Sequence, residues 1–461
     1  MEPPFRRWRG LKSLVHNAVD YTTRLVEEGH ESVSRSVVGA IGVVPSLAAP
    51  AHAVDDLRRA VTAGVLGAVR GVNRVVERVT DGALDAAESA LVYPGPDGRP
   101  DEGGALVPLR SDAMGGARWL GDAAIAALNA AVGDRLHAQA NGLEVDLRLR
   151  LGDRYLPLAP LDVEAARALL EAAPRRVAVL VHGLATTEWS WCLNAKQYWG
   201  DPAINFGALL ARDHGYAALY ARYNTGRHVS ENGQALAEHL EALRGALGDE
   251  VEEFLLVGHS MGGLVVRSAC HYGREAGHRW PSRVRRVFCL GSPHHGAPLE
   301  KIGNVATAVL LAVDTPGTRI PGLLLEGRSA GIKDLRYGNV VHEDWLARDP
   351  DALLEDRRRA VPLLDDVTYY FVSATLTRDP EHPMGRALGD LLVRVPSASG
   401  PAVPLGRFTI ETHRFGAVLH HELQNHPDVY ALIDRALRGD APPDVEGGPS
   451  QQRSKPDDGK H

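Results

Sequence analysis

From Val177 onward the chain alternates short apolar runs with helical patterns, and this alternation restricts the fold more than any other feature. Apolar-rich runs at Val177–Val181, Ala217–Tyr220, Phe254–Val257, Val284–Leu290 and Val367–Ser373 have the length and character of buried strands. Between and after them, apolar residues recur at helical spacing over Phe206–Asp213, Glu231–Leu247, Leu264–Arg274 and Val429–Leu437. Strands separated by helices predict an α/β fold, a mostly parallel sheet with helices on both faces. Upstream, Ala117–Leu136 reads as a helix. Leu143–Leu151 alternates Leu or Val with charged residues, the pattern of a half-buried strand. Functional loops of such sheets gather at the carboxyl ends of the strands.

One strand-to-helix junction carries a chemical signal. Gly258-His259-Ser260-Met261-Gly262 follows the run Phe254–Val257 and precedes the helical pattern from Leu264. It fits the G-x-S-x-G elbow, a sharp turn that exposes a serine oxygen above a sheet. The spacing recurs at Gly327-Arg328-Ser329-Ala330-Gly331, where no long helical pattern follows. Ser260 is therefore the nucleophile candidate, and Ser329 reads as a loop serine.

A serine hydroxyl is a weak nucleophile at neutral pH and needs a histidine base oriented by a carboxylate. On an elbow of this kind the chain order is Ser, then acid, then His. The histidine is sought in Gly416–Leu423, just before the last helix. There His420 is preferred, His421 competes, and His413 and His426 are further choices. For the acid, Asp390 follows the strand Val367–Ser373 after a polar loop, with Asp379 as the alternative nearer the strand end. Asp365 and Asp366 precede that strand and belong at its opposite end. Two backbone N–H groups must form the oxyanion hole. Met261 is one, and Leu184, after the run Val179-Leu180-Val181-His182-Gly183, is the other. His182 and His259 read as packed neighbours of the site rather than as the base. Trp189 and Trp191 suit either a pocket entrance or the core, and Arg222–Gly226 ends a strand on the catalytic side.

Together, His182-Gly183, Gly-His-Ser-Met-Gly-Gly at 258–263, Gly291-Ser292-Pro293-His294-His295-Gly296, Gly389-Asp390-Leu391-Leu392-Val393 and His420-x-x-Leu423 resemble the α/β-hydrolase superfamily. Within it the likeness is to bacterial lipase/esterase-type proteins and to the related lipid-deacylating family that works on GPI anchors. It covers roughly Arg176 to Leu437 and implies Ser260, Asp390 and His420 as the triad. It also implies a cap insertion opening after Gly291–Pro298. One departure is Leu391, where the family's acid loop often has an inner glycine. The activity implied is hydrolysis of an acyl ester with an apolar portion, lipid included, with no metal and no cofactor. Acyl transfer on the same fold is the enzymatic alternative. A non-catalytic protein binding lipid or a partner is the alternative outside catalysis.

The remaining sequence bounds the surroundings. Predicted divisions are an N-terminal helical region at 1–92, a linker with leading elements at 93–175 and the catalytic domain at 176–438. A cap insertion is predicted at about 299–345, with the apolar run Val305–Val313, and a disordered tail at 439–461. Val61–Val79 keeps one helical side apolar, and the start is basic and contains Trp8. Two roles suit this region: a hairpin packed on the main domain or on a second copy in an oligomer, and an element resting on a lipid surface. A formal net charge of −7 gives no reason to expect nucleic-acid binding. Cys192, Cys270 and Cys289 are an odd set without metal-ligand spacing, read as buried free thiols of a reducing, cytoplasmic setting.

Overall fold

The computed structural model describes residues 106–114, 116–158, 161–169, 175–296, 329–346, 359–375, 377–379 and 406–439, with Ser13 alone before them. The helical reading of 1–92, the apolar run Val305–Val313, Asp390 and the tail beyond Gly439 lie outside these residues, Ser13 apart. Among the described residues no helix is long and apolar enough to cross a membrane.

Eight strands form one sheet: β1 (Arg148–Leu151), β2 (Arg154–Tyr155), β3 (Arg176–Val181), β4 (Ala217–Arg222), β5 (Glu253–His259), β6 (Val284–Leu290), β7 (Thr368–Thr375) and β8 (Thr409–Gly416). Their order is β2-β1-β4-β3-β5-β6-β7-β8. Strands β3 to β8 run parallel, with Val179 opposite Leu219 on one side and Leu256 on the other. The β1–β2 hairpin joins antiparallel through β4. This is the mostly parallel sheet of an α/β-hydrolase fold.

Helices α1 (Ala117–Ala138), α2 (Val163–Leu169), α3 (Ala195–Trp199), α4 (Phe206–His214), α5 (Val229–Leu247), α6 (Met261–Glu275), α7 (Ala330–Tyr337) and α8 (Pro427–Arg438) complete the described elements, with short 3-10 turns between them. Successive strand residues point to opposite faces, so the strands supply two cores. Val177, Val179, Phe254, Leu256, Val287 and Phe371 pack on one face with Leu236 and Leu240 of α5 and Leu264 of α6. Ala178, Leu180, Leu255, Val257, Phe288 and Val372 pack on the other with Phe206 and Leu210 of α4 and Val429 and Ile433 of α8. Burial on both faces is why these strands read as continuous apolar runs.

Two local expectations need correction, and a third is sharpened. The strand predicted over Leu143–Leu151 is paired only from Arg148. The Asn129 side chain of α1 donates to the Leu143 carbonyl and accepts from the Val145 amide, taking the place of a neighbouring strand. Nor is its charged side solvated throughout, because Arg150 is buried. Second, β8 had no counterpart among the predicted strands. As an edge strand rich in Thr, Glu, His and Arg it lacks the apolar run that betrays a central one. Third, the loop position read for Ser329 stands directly before the short helix α7. Buried, Ser329 caps α7 by accepting from the Ile332 amide and donates to the Ala130 carbonyl.

Replacing Asn129 by Ala would orphan the Leu143 carbonyl and the Val145 amide inside the protein. The expected loss is about 2–4 kcal/mol of stability, one desolvated group for each bond. Urea denaturation should show a lower midpoint with an unchanged slope; an unchanged midpoint would mean that the two groups find other partners.

Candidate active site

Ser260 is the single residue between β5 and α6, and its backbone takes φ 53° and ψ −121°. Such a conformation is costly for a residue with a Cβ. It is held on both sides: the Ser260 amide donates to the Leu290 carbonyl of β6 at 2.8 Å, and its carbonyl accepts from the Gly263 amide at 3.1 Å. The neighbouring glycines make the turn sterically feasible. A Cβ on Gly262 would overlap the Val181 carbonyl oxygen, and one on Gly183 would sit 3.1 Å from the Ser260 Cβ. The end of β3 thus presses directly on the elbow. Ser260 keeps partial exposure while Met261, opening α6, is buried.

His420 reaches the same point from the far end of the chain. It is buried, whereas His421 is exposed. The His420 carbonyl accepts from His259 Nε2 at 3.0 Å, and the two rings lie 4.9 Å apart. The His420 ring also borders Gly291, the residue after Leu290. Its loop is fastened to the end of β7 by the Ala417 amide on the Thr377 carbonyl and the Val418 amide on the Thr375 carbonyl. Asp379 lies just past that strand end, exposed, with its carbonyl accepting from the Thr377 hydroxyl at 2.7 Å. His413 lies in β8 and His426 caps α8 through the Asp428 amide.

Leu184 begins the turn after β3 and is buried. That turn is braced by Thr186, whose hydroxyl donates to the Gly183 carbonyl, and by the Ala185 amide on Thr225 Oγ1. His182 is fully enclosed, stacked on Tyr223 at 4.4 Å between ring centres, and the Tyr223 hydroxyl donates to its carbonyl. Burial pushes the His182 imidazole down to about 4, so it stays neutral at ordinary pH. Trp189 and Trp191 are both buried and belong to the core side of this loop. Burial also pushes the thiols of Cys192, Cys270 and Cys289 up to about 12, which denies them nucleophile chemistry.

Behind the loop lies a charge network that the sequence did not reveal. Arg222, at the end of β4, places Nη2 at 2.6 Å from both Asp122 oxygens of α1 and donates through Nε to Glu188 at 2.9 Å. Glu188 also accepts from Arg150 of β1 at 3.2 Å and from the Tyr155 hydroxyl of β2 at 2.9 Å. Burial alone would raise the Glu188 carboxyl, but the Arg222 and Arg150 guanidiniums overcome it and hold the group well below the ordinary carboxylate range. The only sequence signals were Arg222 at the end of an apolar run and Arg150 among the charged residues of the alternating stretch Leu143–Leu151.

Residues 177–311 match the family model described as PGAP1-like alpha/beta domain. The match runs from β3 through β6 and includes the elbow, leaving α1, β1, β2, β7 and β8 outside it. No curated protein matches the chain. Among solved structures the chain is similar to the mature form of lipase BlEst2 from Bacillus licheniformis, at 19% identity and a TM-score of 0.36, over 57% of this chain and 92% of that one. It is similar to a lipase-esterase related protein from Clostridium acetobutylicum at 14% identity and a TM-score of 0.30, over 57% and 94%. For phospholipase PlaB from Legionella pneumophila the values are 15% identity and a TM-score of 0.33, over 57% and 59%.

The buried His182 should leave a mark on acid stability. The folded chain resists protonating it until about pH 4, while the unfolded chain takes up the proton near 6.5. Its contribution is therefore complete above pH 6.5 and is lost as the pH falls toward 4, at up to about 1.4 kcal/mol per pH unit. Melting temperatures of the wild type and of His182→Gln, compared across that window, should converge as the pH falls. Parallel curves would mean that the fold accepts the proton.

Proposed function

We propose that the protein is a serine carboxylic-ester hydrolase acting on acyl esters with an apolar portion, lipid esters included. The observation that carries this reading is Ser260 held alone, at positive φ, between β5 and α6 with His420 beside the turn. The resemblance to lipid-deacylating relatives supports the apolar acyl portion.

In the proposed mechanism Ser260 Oγ attacks the ester carbonyl while His420 takes its proton. The oxyanion is met by the Met261 and Leu184 amides, and Asp390 orients the imidazole and stabilises its cation. Collapse breaks the carbonyl–alkoxy bond, and the His420 proton leaves with the alcohol. Water then attacks the acyl-serine, giving up a proton to His420, and the acid departs as Ser260 regains its hydrogen. Exposure of His421 and burial of His420 support His420 as the base, whose backbone carbonyl accepts from His259 Nε2.

A fluorophosphonate probe should label the wild-type chain, and Ser260→Ala should abolish labelling. The same variant should cut turnover of a short p-nitrophenyl ester by on the order of 10⁴-fold or more. Ser329→Ala should keep labelling and turnover, losing only about 1 kcal/mol of stability through the lost cap. Asp390→Asn should lower kcat by on the order of 10⁴-fold, with Asp379→Asn near wild type. A folded chain that takes no label with Ser260 intact would overturn the proposal.

A further inference from the structure

The leading helix α1 lies outside the stretch matched by the family model, yet it grips the loops at the carboxyl ends of β3 and β4. We infer that Asp122 of α1, with Arg222 and Glu188, positions the oxyanion-hole loop, an inference that rests on the hydrolase reading of Ser260 and Leu184. By it, α1 is a working part of the site rather than an appended helix.

The geometry is specific to that loop. The Thr187 hydroxyl, three residues after Leu184, donates to Asp122 at 2.8 Å. Arg222 Nη2 contacts the same hydroxyl at 3.2 Å and both Asp122 oxygens. Glu188, next in the chain, is held by Arg222, Arg150 and Tyr155. Two consecutive residues of the loop are thus pinned by side chains from α1, β4, β1 and β2. Their charges, two carboxylates against two guanidiniums, cancel within the cluster. The helix is separately seated on the β4 loop, where Asn224 donates to the Gly133 carbonyl, and on α7, where Ser329 donates to the Ala130 carbonyl. Trp119 of α1 meets Trp189 of the loop edge-on at 5.2 Å.

An oxyanion donor acts on charge that develops only in the transition state, so a displaced Leu184 amide should cost kcat and spare KM. An ion pair that merely stabilised the fold would lower the melting temperature and leave kcat of the folded enzyme alone. This difference separates positioning from simple packing.

The test uses the full chain and a soluble p-nitrophenyl ester, with active sites counted by fluorophosphonate titration. In Asp122→Asn kcat should fall by on the order of 10- to 100-fold, as a displacement of about an ångström does, with KM changed by less than about twofold. Thr187→Val, which removes the hydroxyl link and no charge, should lower kcat about tenfold on its own. The double variant should be no slower than Asp122→Asn, since both cut one connection. Ser329→Ala, which loosens α1 elsewhere, should lower the melting temperature and keep kcat. If Asp122→Asn does not fold, Thr187→Val decides. Wild-type kcat in folded Thr187→Val or Asp122→Asn, or an equal loss in Ser329→Ala, would overturn the inference while the hydrolase reading stands. A wild-type chain inert to both probe and ester would overturn both.

Discussion

The turn at Ser260 is the constraint to which the rest of the site is fitted. A residue with a Cβ held at φ 53° and ψ −121° costs about 1–3 kcal/mol, and it persists only where its neighbours leave it no relaxed alternative. Here the amide is tied to Leu290 in β6 and the next helix begins at once. On the other side Gly262 packs on the carbonyl of Val181 in β3. Relaxing the turn would require β5 to part from both of its neighbours in the sheet, breaking burial on two faces. The sheet therefore holds the serine forward, and Gly183 and His420 are placed by contact with that same turn.

The cluster of Arg150, Glu188, Arg222 and Asp122 calls for a different accounting. Withdrawing ions from water costs several kcal/mol each, and well-packed apolar groups of similar volume are often as stabilising or more so. The cluster is therefore a poor explanation for stability. Its distinguishing property is directional: guanidiniums bond in a fixed plane, and these two reach carboxylates on separate elements. An exposed pair such as Arg407–Asp366 sets nothing comparable, since screening and side-chain entropy leave it worth about 0–1 kcal/mol. Where an apolar contact would let the loop after β3 slide, the buried charges fix its register against α1 and β4.

What could be read from the sequence follows from how local its cause is. Strands β3, β5 and β6 were legible because burial on both faces forces apolar runs, and the elbow because strand, turn and helix are contiguous. The free, buried state of the three cysteines was legible from their number and spacing. The extent of β1 was not, because the partner that replaces its ladder is one side chain, Asn129, arriving from α1. Asp122 and Arg222 stand 100 residues apart, and neither belongs to a motif. Edge strand β8 lacked a buried face to pattern it, and α7 was too short for its period to emerge.

The way the His420 loop is suspended also bears on the acid proposed for it. The loop hangs from Thr375 and Thr377 at the carboxyl end of β7, while Asp365 and Asp366 lie before the strand begins. An eight-residue strand separates them from the site by about 25 Å at roughly 3.3 Å per residue, far beyond a hydrogen bond. Asp365 is in any case occupied at that remote end, accepting from the Arg407 amide at 2.9 Å ahead of β8. Those two therefore stand apart from the acid proposed for His420. A carboxylate that orients a buried imidazole has to be drawn out of water with it. Asp379 stands exposed beside the Thr377 hydroxyl. Of the two acids considered after β7, that contrast supports the proposal of Asp390 over Asp379.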